Sequence, residues 1–191
     1  MKKIILTGTL AVLTMCVSNG FAQDTMKPDG KTQMSSSKNA DGKFMSMAAT
    51  SGMNEITLSN QALSKSSNED VKKLAQMMVD DHTKAGDELK SLAMTKNVTL
   101  PTYPDAKHSA ALTKMSSMTG DSFDMAYVKM MVKDHEKAVA MFQKEATGGK
   151  DADAKAFAVK TLPTLQAHLE MARTTMSNMM SGKKDNKMNG M

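Results

Sequence analysis

The chain has 191 residues, 22 of them methionine, a formal net charge of +5, two tyrosines and no tryptophan. No basic stripe interleaves with aromatic residues, so nucleic-acid binding has no footprint in it. A phosphate-cradling glycine loop, a Gly-x-Ser-x-Gly elbow and a His-Glu-x-x-His motif are all missing, which removes several common enzyme signatures.

The opening stretch MKKIILTGTLAVLTMCVSNGFAQDT places Lys2 and Lys3 before an apolar run from Ile4 to Val17. Gly20 and Ala22 are small residues just ahead of a cleavage point before Gln23. Residues 1–22 therefore read as a secretory signal peptide whose apolar run is too short to span a membrane. Cys16, the only cysteine, lies inside it, and Met15 makes a poor lipoprotein box. The expected product is exported, with no thiol, disulfide or lipid anchor. No later apolar run is long enough to cross a bilayer.

Residues 23–40 are polar and turn-rich, a flexible leader. The first helical pattern runs from about Asp41 to Lys65, with Phe44, Ala48, Ser51, Glu55, Leu58 and Ala62 on one stripe. A second begins after Ser66-Ser67, where Glu69 and Asp70 suit a capping box, and fades at Asn97. Val71, Leu74, Met78, His82, Ala85, Leu89 and Leu92 form its stripe. Pro101 and Pro104 enforce a non-helical link, and a short helix follows over Ala106 to Met118. His108, in that connecting segment, is expected to face solvent.

The third long pattern starts near Asp121 and ends at Gly148-Gly149, with Asp124, Val128, Met131, His135, Ala138 and Phe142 inward. A fourth runs from Asp151 or Ala152 to about Met180, with Phe157, Thr161, Leu165, His168, Ala172 and Met176 inward. Pro163 should kink it, because an interior proline removes a hydrogen bond and crowds the preceding turn. The tail from residue 181 is again polar, with Met188 and Met191. No strand pattern occurs. The expected fold is all-α: an antiparallel four-helix bundle over residues 41–180, with a short extra helix in the central connection.

Each long helix carries one ionisable residue at an otherwise apolar inward position: Glu55, His82, His135 and His168. Counted from the tight turns, all four fall within about one to two helical turns in height. Converging imidazoles and a carboxylate in a bundle core make a metal-site pattern. The pattern is written twice, as MMVDDHTKA over residues 77–85 and MMVKDHEKA over 130–138. Asp81 and Asp134 precede their histidines and point about 100° away around the helix. Their economical role is to accept the free ring N–H of a histidine on a neighbouring helix.

Met78 and Met131 stand four residues before His82 and His135, and Met171 three after His168, so every core histidine has a thioether one turn away. Imidazole with thioether suits copper, whereas carboxylate with imidazole suits iron, zinc or manganese. Met176-x-x-Met179 and Met188-x-x-Met191 offer further loose Cu(I) contacts. The same Asp-His and Glu-His pairs also fit a metal-free polar network that sets helix register. The reading carried forward is a transition-metal partner, copper before iron or zinc, with the metal-free network of a structural envelope module as the alternative. An enzyme on this site would be a metal-dependent oxidoreductase with an open coordination position. A homo-oligomer is compatible with the pattern.

The blocks GMNEITLSNQALSKSSNEDVKKLAQMMVDDHTKAGDELKSLA, GDSFDMAYVKMMVKDHEKAVAMFQKEA and LPTLQAHLEMA resemble the domain of unknown function 4142 family of bacterial exported proteins. The resemblance runs from about Phe44 to Met176 and implies a ferritin-like helical bundle in the bacterial envelope. Its characteristic positions fall on Glu55, Asp81, His82, Asp134, His135, Pro163 and His168. Ferritin-type di-iron sites use Glu-x-x-His on two helices. Here the residues three before His82, His135 and His168 are Val79, Val132 and Leu165, which speaks against an iron-storing ferroxidase.

Overall fold

A computed structural model describes residues 40–188, with side chains through residue 181. The expected signal peptide over residues 1–22, the expected leader up to residue 39 and residues 189–191 of the tail lie outside the described residues. Five helices and no strand are found within them: α1 (Ala40–Lys65), α2 (Glu69–Thr95), α3 (Ala106–Ser116), α4 (Gly120–Gly148) and α5 (Ala152–Met188).

Short polar side chains set the helix ends. Asn68 caps α2, its Oδ1 accepting the amides of Asp70 and Val71 at 2.9 and 3.2 Å. The cap is thus Asn68 and not the Ser66-Ser67 pair, although Ser66 Oγ accepts the Asn68 amide at 3.0 Å. α2 closes on Asn97, which takes a left-handed φ of 54°, a conformation that asparagine tolerates better than most residues. Asn97 and Val98 then return their amides to the carbonyls of Met94 and Ala93. Asp105 and Asp151 cap α3 and α5 in the same way.

α1 packs on α2 and α4, and α5 packs on α4 and α2, so the four long helices contact one another around a closed circuit. Lys96 joins two of their ends, bonding Asp151 and Asp153 at 2.7 Å each. α5 runs on to Met188, beyond the end expected near Met180. It also continues through Pro163, which is exposed.

The apolar core is in two parts. One holds Leu58, Leu74, Met78, Phe123, Tyr127 and Met131. The other holds Phe44, Met45, Leu89, Phe142, Phe157 and Leu165. On every long helix an ionisable inward residue lies between the two in sequence: Glu55, His82, His135 and His168 separate one cluster from the other, while Asp124 is a further buried acid on α4. Most of the predicted stripe is buried, while Ser51, Ala85, Leu92, Thr161 and Met176 are half-buried. Among the described residues no helix is long and apolar enough to cross a membrane.

Candidate metal centre

The four inward ionisable residues meet. His82 Nε2 lies 3.4 Å from His135 Nε2, and His135 Nε2 lies 3.3 Å from His168 Nδ1. Glu55 closes the group from α1, with Oε2 3.0 Å from His82 Nε2 and Oε1 3.5 Å from His135 Nδ1. All four side chains are buried; Glu55 and His168 are 1% exposed and His135 is fully enclosed. The imidazoles tilt steeply to one another, with ring centroids 5.2–5.5 Å apart, so they converge by their nitrogens and do not stack.

Hydrogen bonds on the outer side of the rings fix where the protons are. His135 Nδ1 donates to the Met131 carbonyl at 3.0 Å, which leaves Nε2 bare. His168 Nε2 donates to Asp81 Oδ2 at 2.9 Å, which leaves Nδ1 bare. Two lone pairs therefore face each other in a buried space. His82 can bring one N–H to its Nε2, and that hydrogen serves one neighbour at most. Both Glu55 oxygens also lack a partner in hydrogen-bond geometry. Such a group does not satisfy itself.

Electrostatics keep the rings neutral. Burial lowers the pKa of His82 well below the usual histidine value, and the neighbouring His135 and His168 add to the effect. Burial, then His168, brings His135 down to about 4 against the opposing pull of the Met131 carbonyl. Burial lowers His168 as well, although Asp81 resists. Glu55 is pushed up to about 8, chiefly by burial and then by the charge of Asp134; Ser51 opposes weakly, being close without completing a hydrogen bond.

The donor set fits a metal ion. One ring nitrogen from each of the three histidines lies within 4.8 Å of the other two. A tetrahedral ion with metal–nitrogen bonds of about 2.0–2.1 Å needs nitrogens about 3.3–3.4 Å apart, and His135 Nε2 has that spacing to both His82 Nε2 and His168 Nδ1. Neutral imidazoles with their lone pairs inward are the form that binds metal, and the Asp81 bond to His168 is of the kind that orients such a ring.

The remaining expected residues are distributed less evenly. Met78 and Met131 are fully buried beside the centre in the Leu58–Tyr127 cluster, and Met131 touches the site through its carbonyl. Met171 is 43% exposed, so the thioether expected beside His168 points outward. Asp134 reaches a histidine on another helix, but it is His108 of α3, at 2.9 Å, and not a core histidine. His108 is accordingly not a free surface residue. Its Nδ1 meets Asp105 Oδ2 at 2.7 Å, and the Asn54 amide spans the same carboxylate at 2.9 Å. Burial works against the Asp134 charge, yet the bonds from His108 and Lys137 outweigh it and hold its pKa low. Neither Asn54 nor Asp105 stands out in the sequence. The spacing Asp105-x-x-His108 at a helix start was the available cue.

Solved structures share this fold at low sequence identity. A DUF305 fragment from Deinococcus radiodurans superposes with a TM-score of 0.64 at 12% identity, covering 72% of this chain and 95% of the fragment. CopM in its Cu(I)-bound form gives 0.61 at 18% identity over 74% of this chain and 98% of CopM. CopM in its Cu(II)-bound form gives 0.60 at 18% identity, covering 72% and 96%. A search of curated proteins by sequence returned no match. The sequence profile described as "Domain of unknown function (DUF4142)" matches residues 25–175, and the chain belongs to that family.

Proposed function

We propose that this protein is an exported, ferritin-like antiparallel four-helix bundle that holds one transition-metal ion in its core, copper in preference to iron or zinc, and buffers metal or oxidative stress in the envelope. The observation that carries this reading is the pair of bare nitrogens, His135 Nε2 and His168 Nδ1, held 3.3 Å apart with no proton available between them. His82 completes the imidazole set and Glu55 is the adjacent carboxylate; Met78 and Met131 are the candidate soft ligands. Asp81 positions His168. The closed circuit of helix contacts supports the bundle. Structures of similar fold carry Cu(I), Cu(II) or silver, which makes copper the first metal to test. An ion held here would be sequestered from water by the two apolar clusters. The chain's many methionines provide a separate route to oxidant buffering, as reversible sulfoxides.

The test is metal content of the exported protein from its native compartment, followed by titration of the metal-free form with Cu(I), Cu(II), Fe(II) and Zn(II). A variant carrying His82→Ala and His135→Ala runs in parallel. One tight equivalent that the variant loses supports the reading; no binding tighter than millimolar overturns it.

A structural envelope module is the second reading. It is favoured by the two Asp–His ties between helices, His168 to Asp81 across α5 and α2, and His108 to Asp134 across α3 and α4. In that case His82→Ala should cost stability on the order of 3–5 kcal/mol without any metal phenotype.

A further inference from the structure

A cavity of about 520 Å³ opens beside the centre and reaches in as far as Glu55 and His82. Small residues make the room: Ala48, Ala49 and Gly52 on α1, with Ala85, Gly86 and Ala93 on α2, withhold the side-chain volume that a closed core would supply. The opposite wall is apolar and aromatic. Phe142 and Phe157 line it, held 5.9 Å apart between ring centroids, and Phe44 braces Phe142 edge-on at 4.9 Å. Size and lining both match small-molecule sites.

One lining group asks for a partner. Glu55 is 1% exposed, and neither carboxyl oxygen has a donor in hydrogen-bond geometry, although His82 Nε2 lies 3.0 Å from Oε2. We infer that the cavity binds a neutral hydroxylated aromatic of one or two rings, whose hydroxyl donates to Glu55 and whose body lies against Phe142 and Phe157.

The alternatives fit less well. A fatty-acid or aromatic carboxylate would have to bury its charge against the apolar wall beside a second acid. An ammonium would lose its hydration against an apolar wall. A hydroxyl is a neutral donor, and an aromatic body gains the edge and offset contacts that two fixed phenyl rings provide. This site stands on the cavity and on Glu55, and it needs no metal.

The experiment uses the metal-free exported chain and the intrinsic fluorescence of 2-naphthol, with naphthalene and 2-naphthoate as comparison probes. Saturable one-to-one binding of 2-naphthol is expected, with naphthalene and 2-naphthoate each weaker by about tenfold or more, the worth of one buried hydrogen bond. Two plugs enter from different helices. Gly86→Phe places its Cβ where nothing lies within 4 Å, and Thr161→Phe projects from the α5 wall. Each should weaken 2-naphthol binding at least about tenfold with the thermal melt retained. Equal affinity for 2-naphthol and naphthalene in the parent chain overturns the assignment, as does binding that both plugs leave intact. Because no metal is present, failure here leaves the metal reading untouched, and failure of the metal titration leaves this site untouched.

Discussion

His135 Nε2 and His168 Nδ1 face each other at 3.3 Å, each made bare by the hydrogen bond that its own ring makes on the other side. An arrangement of this kind discriminates between metals through what joins it next. If the Met78 and Met131 thioethers supply that ligand, Met78→Leu and Met131→Leu should each lower Cu(I) affinity by about tenfold and leave Zn(II) affinity unchanged, since sulfur favours the softer ion. Competition against a chromophoric chelator reads both. Equal losses for the two metals would mean that the methionines act by packing alone.

Asp81 acts on the centre through His168. Its side chain is 43% exposed, so replacing it disturbs little of the core, yet it fixes the tautomer that turns Nδ1 inward. Asp81→Asn should reduce metal affinity about 10–100-fold, the usual cost of losing a ligand's outer hydrogen bond. Urea unfolding of the metal-free variant should match the parent closely. A large stability loss with unchanged affinity would assign Asp81 to holding α2 against α5.

The metal-free protein should be most stable near pH 6.5, with the two flanks set by different groups. His82, His135 and His168 are held below the normal histidine value, His135 at about 4. As pH falls below 6.5, the unfolded chain takes protons that the folded chain refuses, and stability drops. Glu55 is raised from 4.5 to about 8, so over that window the folded chain keeps a proton that the unfolded chain releases. Its contribution is lost as pH rises. Below pH 6.5 the three histidines outnumber it; above, it dominates with a slope of at most about 1.4 kcal/mol per pH unit. Glu145, raised to about 7 by burial and then by Asp41, has the same sign but is spent earlier. Glu55→Gln should therefore flatten the profile between pH 7 and 8 in chemical denaturation. Parallel declines in parent and variant would place the alkaline loss elsewhere.

Much of this was readable in advance because it is local or periodic. The repeated Asp-His blocks put His82 and His135 at matching heights, and Pro101, Pro104 and the Gly148-Gly149 pair mark breaks that no helix crosses. Cap choice was harder, since Ser66, Ser67 and Asn68 are all good cap residues and only backbone geometry selects among them. Met171 departs from the place expected for it because position i+3 from His168 rotates off the buried face, which Ala172 occupies instead. For His108 the cue is the Asp105-x-x-His108 spacing, which does not point to its long-range partner. Its partner Asp134 is 26 residues away, and a helix as short as α3 carries too little periodicity to show which side is covered.

That His108 contact gives the last prediction. Asp134 is buried, and His108 and Lys137 hold its two oxygens, each at 2.9 Å. Removing His108 strips one partner from a buried charge while Lys137 keeps the other, an intermediate loss. His108→Ala should destabilise the metal-free fold by about 1–3 kcal/mol, and Asp134→Asn by a similar amount. The double variant should cost clearly less than the two together, because each single change already removes the shared bond. Urea denaturation of all four chains gives the coupling energy. Metal affinity is the second readout: since His108 bonds outward to Asp134 and not to the core rings, it should change by less than about threefold. Additive stability losses would dissolve the proposed tie, and a large affinity loss in His108→Ala would make Asp134 a positioning residue for His135.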